Sequence, residues 1–147
     1  MKNIFYMNRA IQLSKLGVFT THPNPNVGCV IVNHNCIVGE GWHKKYGDHH
    51  AEVNALNMAG NKAKGGTAYI TLEPCNHFGK TPPCCNAIIN AGITHVIISN
   101  LDPNPQVSGK GVIYLRKNNV SVEIGLLSKE SKKYNQGFFK RMKTGFP

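Results

Sequence analysis

The sequence predicts a three-layer α/β/α domain, with a central mixed sheet of about five strands and helices on both faces. Three observations lead there. An N-terminal helical segment and an apolar hairpin precede a regular alternation of helical and strand-like segments. The run Val27-Gly-Cys-Val-Ile-Val32 is apolar enough for a central strand. The early helical segments each end at a glycine, Gly17, Gly60 or Gly92, where a helix can stop. With 147 residues the chain is expected to form one domain. A chain of that size buries roughly two thirds of its unfolded surface.

Taken in order, Met1–Leu16 carries Ile4, Met7, Ala10, Ile11 and Ser14 at helical spacing, so a first amphipathic helix is expected. A proline-broken loop, Thr20–Asn26, leads into the strand Val27–Val32. Asn33-His34-Asn35 is a turn, and Cys36–Trp42 returns as the second strand of a hairpin. His43–His49 is polar and reads as a loop. Ala51–Ala59 is the second helix, Thr67–Leu72 the third strand, and Pro83–Ala91 a third helix with proline in its first turn. Thr94–Ser99 is the fourth strand, and Asp102-Pro-Asn-Pro105 a turn. Gly109–Asn118 can form a short helix, Val120–Ile124 a fifth strand, and Ser128–Met142 a last helix with Ser128 as its cap. No repeat, low-complexity segment or linker interrupts the pattern.

Composition narrows the classes. Hydrophobic residues make up 41% of the chain, ordinary for a soluble globular domain. No apolar run approaches the ~20 residues of a membrane span. The first fifteen residues mix Asn3, Asn8, Arg9 and Gln12 with apolar ones, unlike a signal peptide, so a cytoplasmic location is expected. The net charge of +10 suits a nucleic acid or a phosphorylated small molecule. The lysines are scattered except in the C-terminal third, which weakens the nucleic-acid reading. Five cysteines, an odd number, offer no paired disulfide framework. Cys29 and Cys36 are expected to be buried as small apolar residues.

The chemistry concentrates at His50-Ala51-Glu52, Pro74-Cys75 and Pro83-Cys84. One histidine and two cysteines form a three-ligand set for a catalytic zinc, whose fourth position holds a water of lowered pKa. Glu52, two residues past His50, stands where a proton shuttle for that water is needed. On the expected fold all three ligand candidates fall at strand ends and helix N-termini, where sites form in such sheets and partial positive charge favours thiolates. A structural zinc would need a fourth ligand, and Cys85 or His77 is available. Against it, the eight-residue gap between Cys75 and Cys84 is not a usual structural spacing. Adjacent Cys84 and Cys85 also cannot easily face one ion from a helix.

These residues resemble the H-x-E…P-C-x-x-C signature of zinc nucleobase deaminases, with a longer gap between the cysteines. The resemblance becomes specific across nearly the whole chain. His22-Pro-Asn-Pro-Asn-Val-Gly-Cys29, Gly41-Trp-His-Lys-Lys-Tyr-Gly47, His50-Ala-Glu-Val53, Thr71-Leu-Glu-Pro-Cys-Asn-His-Phe-Gly-Lys-Thr-Pro-Pro-Cys84 and Asp102-Pro-Asn-Pro105 are similar to the deaminase domain of the bacterial bifunctional riboflavin-biosynthesis enzymes. The long inter-cysteine loop is the most specific of these strings.

That resemblance implies a cytidine-deaminase-like fold and one Zn2+ held by His50, Cys75 and Cys84. It implies Glu52 as proton donor and acceptor, and leaves Cys85 as a helix residue. The implied substrate is a phosphorylated pyrimidine, 2,5-diamino-6-hydroxy-4-(5-phosphoribosylamino)pyrimidine, which loses its 2-amino group as ammonia. Asn24, His43, His77, Lys80, Asp102 and Asn104 are the implied substrate-side residues, with Lys80 suited to the phosphate as a point charge. The resemblance also implies a homo-oligomer. The chain stops where the family's reductase domain would begin, so a stand-alone deaminase served by a separate reductase chain is expected. Two alternatives stand beside this reading: a deaminase acting on tRNA adenosine, which has the shorter P-C-x-x-C gap, and a non-catalytic zinc module.

Overall fold

The computed structural model describes residues 2–17, 26–43, 50–76 and 83–133. Five strands form one sheet in the order β2-β1-β3-β4-β5. They are β1 (Gly28–Asn33), β2 (Cys36–Trp42), β3 (Thr67–Leu72), β4 (His95–Asn100) and β5 (Ser121–Ile124). β1 runs antiparallel to both β2 and β3, whereas β3, β4 and β5 are mutually parallel. The sheet is therefore mixed, as the hairpin followed by helical crossovers requires. The hairpin closes through His34 and Asn35, both at positive φ (51° and 63°), the geometry of a two-residue loop matched to strand twist.

Alternation along the strands divides the core between two faces. Cys29 and Ile31 of β1, Ala68 and Ile70 of β3, and Val96 and Ile98 of β4 share one face. Against them pack α2 (Ala51–Ala59), α3 (Cys84–Asn90) and α4 (Lys110–Lys117) through Ala51, Ala55, Cys85, Ile88, Val112 and Leu115. Val30, Val32, Tyr69 and Ile97 point the other way, onto Tyr6, Met7, Ala10, Ile11 and Leu13 of α1 (Lys2–Ser14). α5 (Ser128–Lys132) joins α1 on that side through Leu127 and through Ser131, whose hydroxyl donates to the Thr71 carbonyl. Two helical layers thus cover the sheet, the predicted three-layer arrangement.

α2 sits unusually close to β2, and the sequence explains why. Ala51, Ala55 and Ala59 recur every four residues on the helix, opposite Gly39 and Gly41 on alternate positions of the strand. A Cβ built on Gly41 would stand 2.3 Å from the Ala51 carbonyl oxygen, and one on Gly39 2.2 Å from that of Ala55. Small residues on both sides let the helix rest on the strand's backbone. Asn54 secures the contact by donating from Nδ2 to the Trp42 carbonyl at 2.9 Å.

Two expectations are corrected. Cys36 is exposed, not buried, because it opens β2, the edge strand, where the hairpin extends past the covering helices. Ser128 does not cap α5. Leu127 holds the cap position at φ 54°, and the Ser128 hydroxyl instead donates to Asn100 Oδ1 at 2.5 Å. The first helix ends at Ser14 and tightens into a 3-10 turn over Lys15–Gly17. The remainder of the expected last helix lies outside the described residues. No described helix is long and apolar enough to cross a membrane.

Candidate active site

His50 is the cap residue of α2, with extended backbone (φ −68°, ψ 163°), and its carbonyl accepts the Asn54 N–H at 3.1 Å. Cys84 opens α3, and Cys75 lies three residues beyond the end of β3. His50 thus meets Cys75 and Cys84, 25 and 34 residues further along the chain. The Cys85 N–H donates to the Cys75 carbonyl at 3.1 Å, locking the start of α3 to the segment after β3. The Cys84 N–H points at Cys75 Sγ, 3.2 Å away.

The three side chains converge. His50 Nδ1 is 3.1 Å from Cys84 Sγ and 3.8 Å from Cys75 Sγ, and all three ligand atoms lie within 4.8 Å of one another. Zn–S and Zn–N bond lengths in a tetrahedral site place such atoms about 3.6–3.8 Å apart. One imidazole nitrogen and two sulfurs at this spacing suit zinc in both geometry and donor softness. Cys85 does not join them. Its thiol is buried and turned toward the carbonyls of Pro74 and Gly111, at 3.5 and 3.7 Å. Among the described residues, then, the cluster holds three ligands.

Electrostatics match. The Cys84 thiol donates to Cys75, and with the Cys84 N–H and the His50 ring this pulls the Cys75 thiol down to about 4. The same shared proton, together with burial, raises Cys84. Hydrogen bonding to Cys75 raises His50. A dication would displace the proton held between the sulfurs and neutralise two thiolates. Glu52 sits in the first turn of α2 and is only 4% exposed. Burial pushes its carboxyl up to about 7, although His50 and the Cys84 thiol favour the anion. A carboxyl that exchanges a proton near neutral pH is suited to general acid–base work.

The other expected residues divide. His43 is buried, and its ring meets that of His50 edge-on with centroids 5.6 Å apart. Asp102 lines a cavity of about 200 Å³ together with Glu73, Pro74, Cys75, Asn76 and Lys110. Asp102 Oδ1 accepts the Asn104 N–H, and Asn104 Oδ1 accepts that of Gln106, so both shape the turn. Asn24, His77 and Lys80 lie outside the described residues. Glu73 was not singled out by spacing, yet it is buried beside Cys75. Its only signal was its place directly before Pro74-Cys75 in a chain with seven acidic residues.

A mixed sheet that brings together one histidine and one buried carboxyl at the start of α2, one cysteine at the start of α3 and one beyond β3 fits a zinc-type deaminase. Residues 1–100 match the cytidine and deoxycytidylate deaminase zinc-binding region. The diaminohydroxyphosphoribosylamino-pyrimidine deaminase of Buchnera aphidicola subsp. Schizaphis graminum is 78% identical over 147 residues, with both chains covered completely. The riboflavin biosynthesis protein RibD of Escherichia coli (strain K12) is 58% identical over the whole of this chain, which covers 40% of that protein. The solved Acinetobacter baumannii RibD superposes with a TM-score of 0.97 at 51% identity, covering 99% of this chain and 41% of the other. The chain belongs to the diaminohydroxyphosphoribosylamino-pyrimidine deaminase family.

Proposed function

We propose that the protein hydrolyses 2,5-diamino-6-hydroxy-4-(5-phosphoribosylamino)pyrimidine to 5-amino-6-(5-phosphoribosylamino)uracil and ammonia, a step of riboflavin biosynthesis. The observation that carries this reading is the meeting of His50, Cys75 and Cys84 within 4.8 Å, beside the buried carboxyl of Glu52. The name and full-length identity of the Buchnera relative support the substrate.

In this reading His50 Nδ1 and the sulfurs of Cys75 and Cys84 hold one zinc ion. When bound, zinc supplies a Lewis acid that makes a water nucleophilic near neutral pH. Glu52 takes the proton that water releases, delivers it to a ring nitrogen, and then passes a proton to the departing amine. The C–N bond breaks as the new C–O bond becomes a carbonyl, so water and substrate leave as uracil and ammonia. Burial serves Glu52 by keeping its carboxyl protonatable and by holding competing solvent away. His43, beside the His50 ring, Asp102, at the cavity next to Cys75, and Asn104, in the turn that Asp102 opens, are assigned to substrate contact. Asn24, His77 and Lys80 are assigned the same role on the family pattern, with Lys80 toward the phosphate.

The protein acts in the cytoplasm as a monofunctional deaminase and homo-oligomer, and a separate chain supplies the reductase step. Support for monofunctionality is that the 78% identical Buchnera relative is named for the deaminase alone. The test is incubation with the phosphoribosyl diaminopyrimidine and, in parallel, with tRNA. Stoichiometric ammonia and the uracil product are expected from the first. Inosine from the second, with no ammonia from the first, would overturn the assignment.

A further inference from the structure

Glu73 is a buried carboxylate that the proposed proton transfers do not use. Its two oxygens accept three backbone N–H groups from distant parts of the chain. Oε1 takes those of Asp102 and Gly109, each at 3.0 Å, and Oε2 takes that of Val112 at 3.1 Å. These bonds span 29, 36 and 39 residues, so they bind the segment after β3 to both ends of the 102–109 loop and to the first turn of α4. Gly109, in the left-handed cap position of α4, brings no side-chain cap of its own. The carboxylate therefore occupies the place of a helix cap, where negative charge is favoured.

The fit is close. A Cβ on Gly111 would stand 2.4 Å from the Pro74 carbonyl oxygen and 3.2 Å from Glu73 Oε2, so α4 rests on the backbone of the Glu73-Pro74 step. On the far side the Glu73 N–H donates to the Asn100 carbonyl at 2.9 Å, tying the step to the end of β4. The loop so held carries Asp102, which lines the cavity beside Cys75.

We infer that Glu73 is a positioning residue: its carboxylate fixes the 102–109 loop against the Cys75 segment and so sets the wall of the substrate cavity. The inference rests on the reading of that cavity as the substrate's. A loop that spends only a tenth of its time in the competent position weakens apparent binding about tenfold. Such a loss falls on KM and spares kcat, because it reduces substrate and transition-state binding equally.

The test uses the full zinc-loaded chain and Glu73→Gln, which keeps the side chain's shape but turns one acceptor into a donor. KM for the phosphoribosyl diaminopyrimidine is expected to rise about tenfold, with kcat within threefold and zinc stoichiometry unchanged. In the same samples, hydrogen exchange at the amides of Asp102, Gly109 and Val112 should accelerate. Unchanged KM, or a loss of zinc matching the loss of activity, would overturn the inference. If Glu73→Gln does not fold, the wild-type chain still decides: those three amides must exchange more slowly than exposed loop amides, and equal rates would overturn it. A wild-type chain inactive on this substrate would refute the proposed function, while the exchange pattern would still report on Glu73.

Discussion

Replacing Gly41 with alanine should damage catalysis from the far side of α2. The new Cβ would lie 2.3 Å from the Ala51 carbonyl oxygen and 2.5 Å from the Ala55 nitrogen. Ordinary van der Waals contact needs roughly 1 Å more, and both atoms belong to the helix backbone, which cannot rotate away as a side chain can. The first turn of α2 must therefore lift from β2. That turn carries Glu52, and its cap is His50. Overpacking of this kind costs about 1–3 kcal/mol. For a chain of this size the melting temperature should fall by about 2–12 °C. A displacement near 1 Å at a reacting group costs about 10²-fold in rate. Gly39→Ala is the control, because its Cβ would strike the Ala55 carbonyl and Ala59, farther along the helix. Thermal melts and steady-state ammonia release on both variants are the assays. Similar destabilisation is expected, with the larger loss of kcat in Gly41→Ala. A Gly41→Ala protein with wild-type melting temperature and kcat would refute the argument that α2 rests on the glycine backbone.

Further outcomes follow from the site. Glu52→Ala should retain zinc while turnover falls at least ~10²-fold, the usual contribution of a general acid–base group; unchanged turnover would remove Glu52 from the mechanism. Cys84→Ser should lose stoichiometric zinc whereas Cys85→Ser keeps it, as metal analysis of the two purified variants would show. Zinc at about a hundred times its dissociation constant should stabilise the fold by about 2.7 kcal/mol, read as a higher melting temperature than in chelator-stripped protein. The Arg9–Glu40 pair, with contacts of 2.6 and 3.1 Å, is partly exposed, and Arg9→Ala should cost no more than about 1 kcal/mol by denaturant titration.

What could be read from the sequence was whatever is encoded locally. β2, β3 and α2 fall at their expected bounds because apolar alternation, helical spacing and glycine stops act over a few residues. The metal cluster was legible because short strings around His50, Cys75 and Cys84 carry it, and the fold brings those three together. Long-range features stayed hidden. Glu73 gains its role only when segments 29 to 39 residues away arrive at its oxygens. Gly39 and Gly41 read as ordinary strand residues until α2 lies across them. Cys36 looked like a core residue because spacing does not reveal which strand forms the sheet's edge. Ser128 looked like a cap because a serine before a helix usually is one, yet Asn100 captures its hydroxyl.

The most direct measurement is a zinc titration of chelator-stripped protein, following bound metal and ammonia release from the phosphoribosyl diaminopyrimidine together. Activity should rise linearly with zinc and level off at one ion per chain. Turnover that is independent of added metal, or a chain that takes up no stoichiometric zinc, would contradict the account.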